Sequence, residues 1–499
     1  MSNLEYISNF SLSVINSISK SVGLEFIFIP IVVAMMLALF FRGKNPTSKY
    51  VALAIFSYML YFSLSLFSKL PNEGYLQLGS YLNVEKFHFV LTLQVDMLST
   101  IMLTLTSFLL ILVTLSSWSM KDQSLYFSLL IMFSGAIFGV FMSTNFLWFF
   151  IFWELTLVPM YFLVGIWGAE RRVYAAVKFF LYTHVASMLI LLAFFLIYKE
   201  SGVFDMTLVK EGMLLSPVLI WWLLFIGFAV KMPIFPFHTW LPDAHVQAPA
   251  PISVLLAGVL LKMGAYAMIR MVIVMLPETS QQYAWVILTL GLITMFYSAF
   301  MAIYETHLKK MVAYSSISHM GLVVIAISTM SYAGLSAALY EMIGHAFIIA
   351  PLFLIAGFLH HKTGSWQMAD MGGIMQKAPY ISAIFVLAGL GALGLPGTMG
   401  FVGELSILLS AVKSFGLWMV VVALGSMLGA GYIIWTLRRV IYGEMSEVVK
   451  TTKFTMNKME FLSLMIFALF IILFGLFPNI LFEYINPAFS QFKLLGGAL

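Results

Sequence analysis

Apolar runs of roughly 20 residues recur from one end of this 499-residue chain to the other. Each is long enough to cross the ~30 Å hydrocarbon core of a bilayer as a helix. They fall near 23–41, 50–68, 95–116, 123–142, 145–167, 175–198, 217–247, 251–275, 283–304, 310–330, 335–359, 380–412, 416–437 and 459–484. This pattern predicts an all-α polytopic membrane protein of about fourteen transmembrane helices. Two of the runs are overlong and interrupted. In Val230-Lys231-Met232-Pro233-Ile234-Phe235-Pro236, two prolines remove backbone donors directly after a lysine. Between Gly394 and Glu404, Pro396 and four glycines, Gly397 among them, do the same shortly before a glutamate. A helix broken at bilayer depth survives only where protein buries it or where it lines a wet cavity. The breaks at Pro233, Pro236, Pro396 and Gly397 therefore predict a pair of ion sites.

The two breaks belong to a longer recurrence. A shift of 161 residues lays Ala175-Ala176-Val177 through His184 over Ser336-Ala337-Ala338 through His345, and brings the first broken helix close to the second. That interval holds five spans, an odd number, so the two copies face opposite ways in the membrane, as in secondary transporters. The expected organisation is a three-helix segment over 1–122, five-helix inverted repeats over 123–275 and 283–442, each with a broken helix, and a C-terminal helix and tail over 443–499.

Composition confirms the solvent and limits the chemistry. With 62% hydrophobic residues, 9% charged residues and a mean hydropathy of +1.00, the chain is far from the soluble average of about half apolar. The net charge of +5 is accounted for by topology, and nucleic acid is excluded as a partner. Arg42, Lys44, Lys49, Lys121, Arg171, Arg172, Lys309, Lys310, Lys362, Lys377, Arg438, Arg439, Lys450, Lys453 and Lys458 fall in loops on one side. Lys20, Lys69, Lys86, Lys199, Lys210, Lys413 and Lys493 fall on the other. The richer side is the cytoplasmic one, which puts both termini outside. No cysteine is present, so disulfides, thiolate metal sites and iron–sulfur ligation are excluded. The polar N-terminus up to Ser21 has no basic leader, against a cleaved signal peptide.

Against that apolar background, Glu154, Lys231, Lys262, His319, His345 and Glu404 lie inside spans. Each charge at bilayer depth costs at least about 2.5 kcal/mol, so ionisable residues of both signs across several spans point to a proton or ion path. Other polar residues have simpler readings. His184 reads as an interhelical hydrogen-bonding group, and Glu341, one turn from His345, as its structural partner. His238, Asp243 and His245 are metal-ligand types, but their place after the first break suits capping better, so no metal is assigned. His360, His361 and Lys362 read as a solvated helix end.

Four blocks carry a family resemblance: Phe152-Trp153-Glu154-Leu155; Lys231-Met232-Pro233 through His238-Thr239-Trp240-Leu241-Pro242-Asp243-Ala244-His245; Leu260-Leu261-Lys262-Met263-Gly264-Ala265-Tyr266; and Leu308-Lys309-Lys310-Met311-Val312-Ala313-Tyr314-Ser315-Ser316-Ile317-Ser318-His319-Met320-Gly321. In this order they resemble the antiporter-like proton-channel subunits of respiratory complex I. Glu404, where the sibling subunits L and N usually have lysine, resembles the M-type branch. The resemblance implies that Glu154 and Lys231 form a membrane-embedded ion pair acting as a switch. It further implies that Lys262 and His319 relay protons, that Glu404 is the exit acceptor, and that Lys178 and His345 are further members. It also implies that the chain itself holds no cofactor. NADH or another donor, flavin, iron–sulfur clusters and quinone are expected in partner subunits of a complex in the cytoplasmic membrane. Subunits of multi-subunit cation/proton antiporters or membrane-bound hydrogenases, and a non-transporting scaffold, are the alternatives.

Overall fold

The computed structural model describes residues 23–40, 47–70, 74–84, 89–120 and 123–489. The leader region, both termini, and Lys20, Arg42, Lys44, Lys86, Lys121 and Lys493 of the charge count lie outside the described residues.

The main elements in chain order are α1 (Glu25–Phe40), α2 (Thr47–Phe67), β1 (Leu76–Val84), β2 (Phe89–Val95), α3 (Met97–Ser116) and α4 (Gln123–Met142). Then come α5 (Phe146–Trp167), α6 (Arg172–Ser201), α7 (Pro217–Lys231), α8 (Trp240–Gln247), α9 (Ala250–Val274), α10 (Ala284–Tyr304), α11 (Leu308–Ser328) and α12 (Tyr332–Thr363). The last are α13 (Pro379–Ala392), α14 (Met399–Phe415), α15 (Leu417–Val440), α16 (Lys458–Leu476) and α17 (Asn479–Ala488), with short helical turns in the connections. Helix starts are set locally. Asp96 accepts from the Ser99 amide at α3, Asn145 from Leu147 at α5 and Ser331 from Gly334 at α12, each satisfying a donor that the helix leaves unpaired.

All fourteen expected spans coincide with helix. Among the described residues, eleven are long and apolar enough to cross a membrane by themselves. The three that are not have physical reasons. At 16 residues α1 rises only about 24 Å, and the runs at 217–247 and 380–412 are each split into two helices. One element was not anticipated: β1 and β2 form an antiparallel hairpin, Leu76 facing Val95 and Tyr81 facing Leu91. Its signal is an alternation rather than a run. Leu91, Leu93 and Val95 are buried while Thr92 and Gln94 are not.

α9 and α11 are the most enclosed of the spans, followed equally by α4 and α12. Element bounds recur at the 161-residue shift. Moved by that amount, α4 falls on 284–303 beside α10, α5 on 307–328 beside α11, α6 on 333–362 beside α12, and α7 on 378–392 beside α13. The same shift carries His184 onto His345 and Asp243 onto Glu404.

Candidate functional site: a buried row of ionisable side chains

The row is built where helices depart from regularity. After α7 the backbone turns through Met232 to Thr239, and its freed groups find partners. The Trp240 indole donates to the Val230 carbonyl at 2.9 Å, and the Phe235 amide donates to Thr294 Oγ1 at 2.9 Å. The second break needs two glycines with φ of +71° at Gly394 and +92° at Gly397, conformations that side chains with a Cβ adopt with strain. Between the breaks, α9 is interrupted by wide π turns at Leu256–Leu260 and Met268–Val274. Such turns are frequent at functional sites. They bracket Leu261–Ala267, the segment that holds Lys262. In the first of them the Ala257 carbonyl accepts from the Lys262 ammonium at 2.7 Å. Gly264 lets this segment approach the first break. A Cβ there would lie 2.9 Å from the Met232 nitrogen and 3.2 Å from Lys231 Cβ.

From Lys262 the contacts run in one direction. Its Nζ meets His345 Nδ1 at 2.5 Å, the His345 and His319 rings lie 5.4 Å apart, and His319 Nδ1 is 2.9 Å from Glu341 Oε1. All four side chains are buried. Glu341 then packs on the second broken helix, where a Cβ on Gly403 would lie 2.2 Å from Glu341 Oε2. Glu404, one residue further on α14, has its Oε2 2.8 Å from where a Gly394 Cβ would stand, so its carboxylate sits in the break itself.

The first half of the row is arranged differently from the expectation. Lys231 and Glu154 form no ion pair here. Glu154 Oε2 is bonded to His184 Nδ1 at 2.6 Å. Lys231 Nζ lies 5.2 Å from the Trp153 ring and 5.8 Å from the Phe179 ring, without a hydrogen-bond partner among the described residues. Trp153 is anchored by its own bond to Ser187 Oγ at 3.1 Å, and the lysine lies against this aromatic wall. Glu341 also differs: it bonds His319, not His345, because α11 presents His319 to it across the helix interface while His345 turns to Lys262. Lys178 pairs with Asp243 at 2.6 Å on a partly exposed flank, off the contact path. Lys309, counted with the loop cations, is instead buried and donates to the Ala248 carbonyl. His360 stacks on Trp366 at 3.8 Å and is only partly solvated.

Polar atoms without partners cluster along this band. Among the buried ones are Glu154 Oε1, Lys231 Nζ, Glu341 Oε2, His345 Nε2 and both ring nitrogens of His245. Each such atom costs about 1–3 kcal/mol unless water reaches it. Water is also the partner that carries protons between side chains, so the band combines what a hydrated proton path needs. His184 and Glu341, given structural readings above, belong to this site. The register of His184 on His345 was the available signal for the first. Arg270, also within a span, is neutralised by Asp96 at 2.7 Å and lies over the Tyr266 ring at 4.9 Å, tying α9 to the start of α3.

Residues 143–429 match the family described as NADH:quinone oxidoreductase/Mrp antiporter, TM. The NADH-quinone oxidoreductase subunit M of Rickettsia conorii is 37% identical over 466 residues, covering 91% of this chain and 94% of that one. The subunit M of Rhodobacter capsulatus is 34% identical over 490 residues, 93% and 94% of the two chains. Among solved structures, a chain of the Thermus thermophilus respiratory complex I superposes with a TM-score of 0.83 at 25% identity, covering 95% of this chain and all of that one.

Proposed function

We infer, from the premise that the chain belongs to the NADH:quinone oxidoreductase/Mrp antiporter family of membrane subunits, that it is a proton-translocating subunit in the membrane arm of an NADH-quinone oxidoreductase. The observation that carries the mechanism is the buried row Lys262–His345–His319–Glu341 between two interrupted helices, hydrogen-bonded at each end and joined in the middle by two imidazole rings 5.4 Å apart. A lysine, two imidazoles and a carboxylate in sequence pass a proton once a water or a ring rotation bridges the two imidazoles.

The first break supplies the switch. Glu154 and Lys231 stand apart here, the carboxylate on His184 and the ammonium on aromatic faces. Bringing them to about 4 Å at an effective dielectric near 20 would strengthen the hold on the lysine proton by about 4 kcal/mol. Separating them again releases that proton toward Lys262, whose segment touches the break at Gly264. Glu404 is the acceptor at the far end. The inverted repeats over 123–275 and 283–442, with fourteen crossings and the Lys- and Arg-rich loops in the cytoplasm, would give the two breaks opposite access.

The chain is a subunit of an oxidoreductase complex, and oxidation and reduction take place elsewhere in it. NADH or another donor, flavin, iron–sulfur clusters and quinone then belong to partner subunits, and sibling subunits of L and N type are its neighbours in the cytoplasmic membrane. The names of its relatives and Glu404 favour this reading over an exchanger or hydrogenase subunit. The test is purification of the tagged chain from its native membrane. It should arrive with a multi-subunit complex that reduces quinone and acidifies one compartment. Recovery of a homodimer that exchanges cations by itself would overturn the proposal.

A further inference from the structure

On the side of α12 away from the row, a cavity of about 340 Å³ lies between α2, α3, α12, α16 and α17. Among the described residues no charged side chain lines it. Its two hydroxyls are accounted for: Thr104 Oγ1 donates to the Thr100 carbonyl at 2.8 Å, and Tyr484 stands exposed at the mouth. Leu64 and Ile480 are exposed beside Tyr484, whereas Ile101, Leu105 and Ile485 behind them are buried. The cavity therefore opens outward. From Met97, where α3 begins, Phe108 is eleven residues on, about 16 Å deep at 1.5 Å per residue, or about half of a ~30 Å core. There Phe108, Phe347 and Phe470 pack ring on ring, with centroids 5.0 to 5.7 Å apart, and close the far end.

We propose that this cavity binds one acyl chain of a phospholipid from the leaflet opposite the Lys- and Arg-rich loops. The chain enters beneath α17 and ends on the phenylalanine floor. The leaflet follows from the helix ends: Lys49 and Lys458 lie at the starts of α2 and α16 and Lys362 at the end of α12, while the mouth is at the other ends. The site does not require the row to carry protons. It requires only that α2, α3, α12 and α16 span a bilayer, for which each is long and apolar enough.

Depth and chemistry select this occupant. At bilayer depth the solvent is hydrocarbon, so an apolar void is filled by what surrounds it, and walls left without partner atoms forfeit their dispersion contacts. A membrane-spanning helix, about 10 Å across and a full bilayer long, does not fit a cavity closed at mid-depth. A volume of about 340 Å³ does lie within the roughly 300–1,000 Å³ of small-ligand sites. The mouth suits a headgroup. Ile480, Leu481, Tyr484 and Ile485 of α17 line the cavity while Glu483 is exposed, the pattern of a helix lying in the membrane interface. The Tyr484 ring packs edge-on against Phe67 at 4.8 Å, at the depth where tyrosines collect. Lys69, exposed and two residues beyond Phe67, supplies a cation for the phosphate. Ile343 and Phe347 stand two residues either side of His345, and so on the opposite face of α12 at 3.6 residues per turn. A chain in the cavity thus backs α12 at the level of the row.

The experiment uses the whole purified complex in vesicles of phosphatidylethanolamine and phosphatidylglycerol, with a trace of phosphatidylethanolamine carrying a diazirine near the end of one chain. After irradiation, the peptides around Phe108 and Phe347 should carry the lipid. Leu105→Trp, which fills the cavity, should lower that label by about tenfold or more, the scale of overpacking a filled site, and leave the label on other spans unchanged. Ile480→Trp narrows the mouth at an exposed position and should give the same loss, so it serves where Leu105→Trp fails to assemble. Absence of label around both phenylalanines in the native complex would overturn the site, as would undiminished label in an assembled Leu105→Trp or Ile480→Trp complex. Displacement of the label by a long-tailed quinone, at a concentration where added phospholipid does not compete, would give the cavity to the quinone and overturn the proposal likewise.

Discussion

Glu341→Gln is the most direct probe of the row, because the structure reverses what that residue was expected to do. The carboxylate is 1% exposed and lies 2.9 Å from His319 Nδ1. For a protonated imidazole, two unit charges at that distance attract by about 6 kcal/mol at an effective dielectric near 20. Glutamine keeps the shape and a neutral hydrogen bond worth about 1 kcal/mol. The remaining loss agrees with the roughly 3–5 kcal/mol found when a buried pair loses one partner. Spread over the transfer step, even 3 kcal/mol slows it by about a hundredfold, since 1.36 kcal/mol is tenfold. Transport through the reconstituted complex should therefore fall at least about tenfold, with quinone reduction falling beside it through coupling. Gly403→Ala is the companion. Its Cβ would meet Glu341 Oε2 at 2.2 Å and push the carboxylate off His319, giving the same defect with every charge retained. The assay is dye-reported acidification against quinone turnover, with assembly checked on native gels. An assembled Glu341→Gln complex that pumps at the normal rate and proton-to-electron ratio would refute the path through His319.

At the first break, Glu154→Gln and His184→Ala should each reduce pumping, and the double variant should be no worse than the more severe single one, because the two side chains act through one 2.6 Å bond. Strict additivity in a double-mutant cycle would dissolve that unit. Arg270→Leu leaves Asp96 without its cation and is expected to cost about 3 kcal/mol or more. This should appear as a lower unfolding temperature of the complex, while an Asp96→Asn, Arg270→Leu double variant should recover part of it. Reporters inserted near Glu211 and in the 362–377 connection should be found on opposite sides of the membrane, the second in the cytoplasm. The same side for both would overturn the span count.

The apolar runs along the chain determined the helical class, the order of the spans and their approximate limits, because crossing a bilayer needs a length and a composition that are both local. They also marked the breaks, since Pro233, Pro236, Pro396 and Gly397 act on their own backbone wherever the helix is placed. The titratable residues stood out for the same reason: Lys262, His319 and Glu404 are conspicuous in apolar surroundings before any partner is known. Partners are another matter. Whether Glu154 faces Lys231 or His184, and whether Glu341 meets His345 or His319, depends on helix rotation and on approach across interfaces 22 to 77 residues apart in sequence. Pairwise spacing within one helix is silent on both, which is why the i,i+4 reading of Glu341 failed. The hairpin escaped because its alternation is short and lies beside long runs. Lys309 escaped because a cation next to a loop reads as solvated until tertiary packing lays Ala248 and Trp366 over it. Local chemistry thus selected which residues matter, and only the packing of α9 against α11 and α12 decided which of them touch.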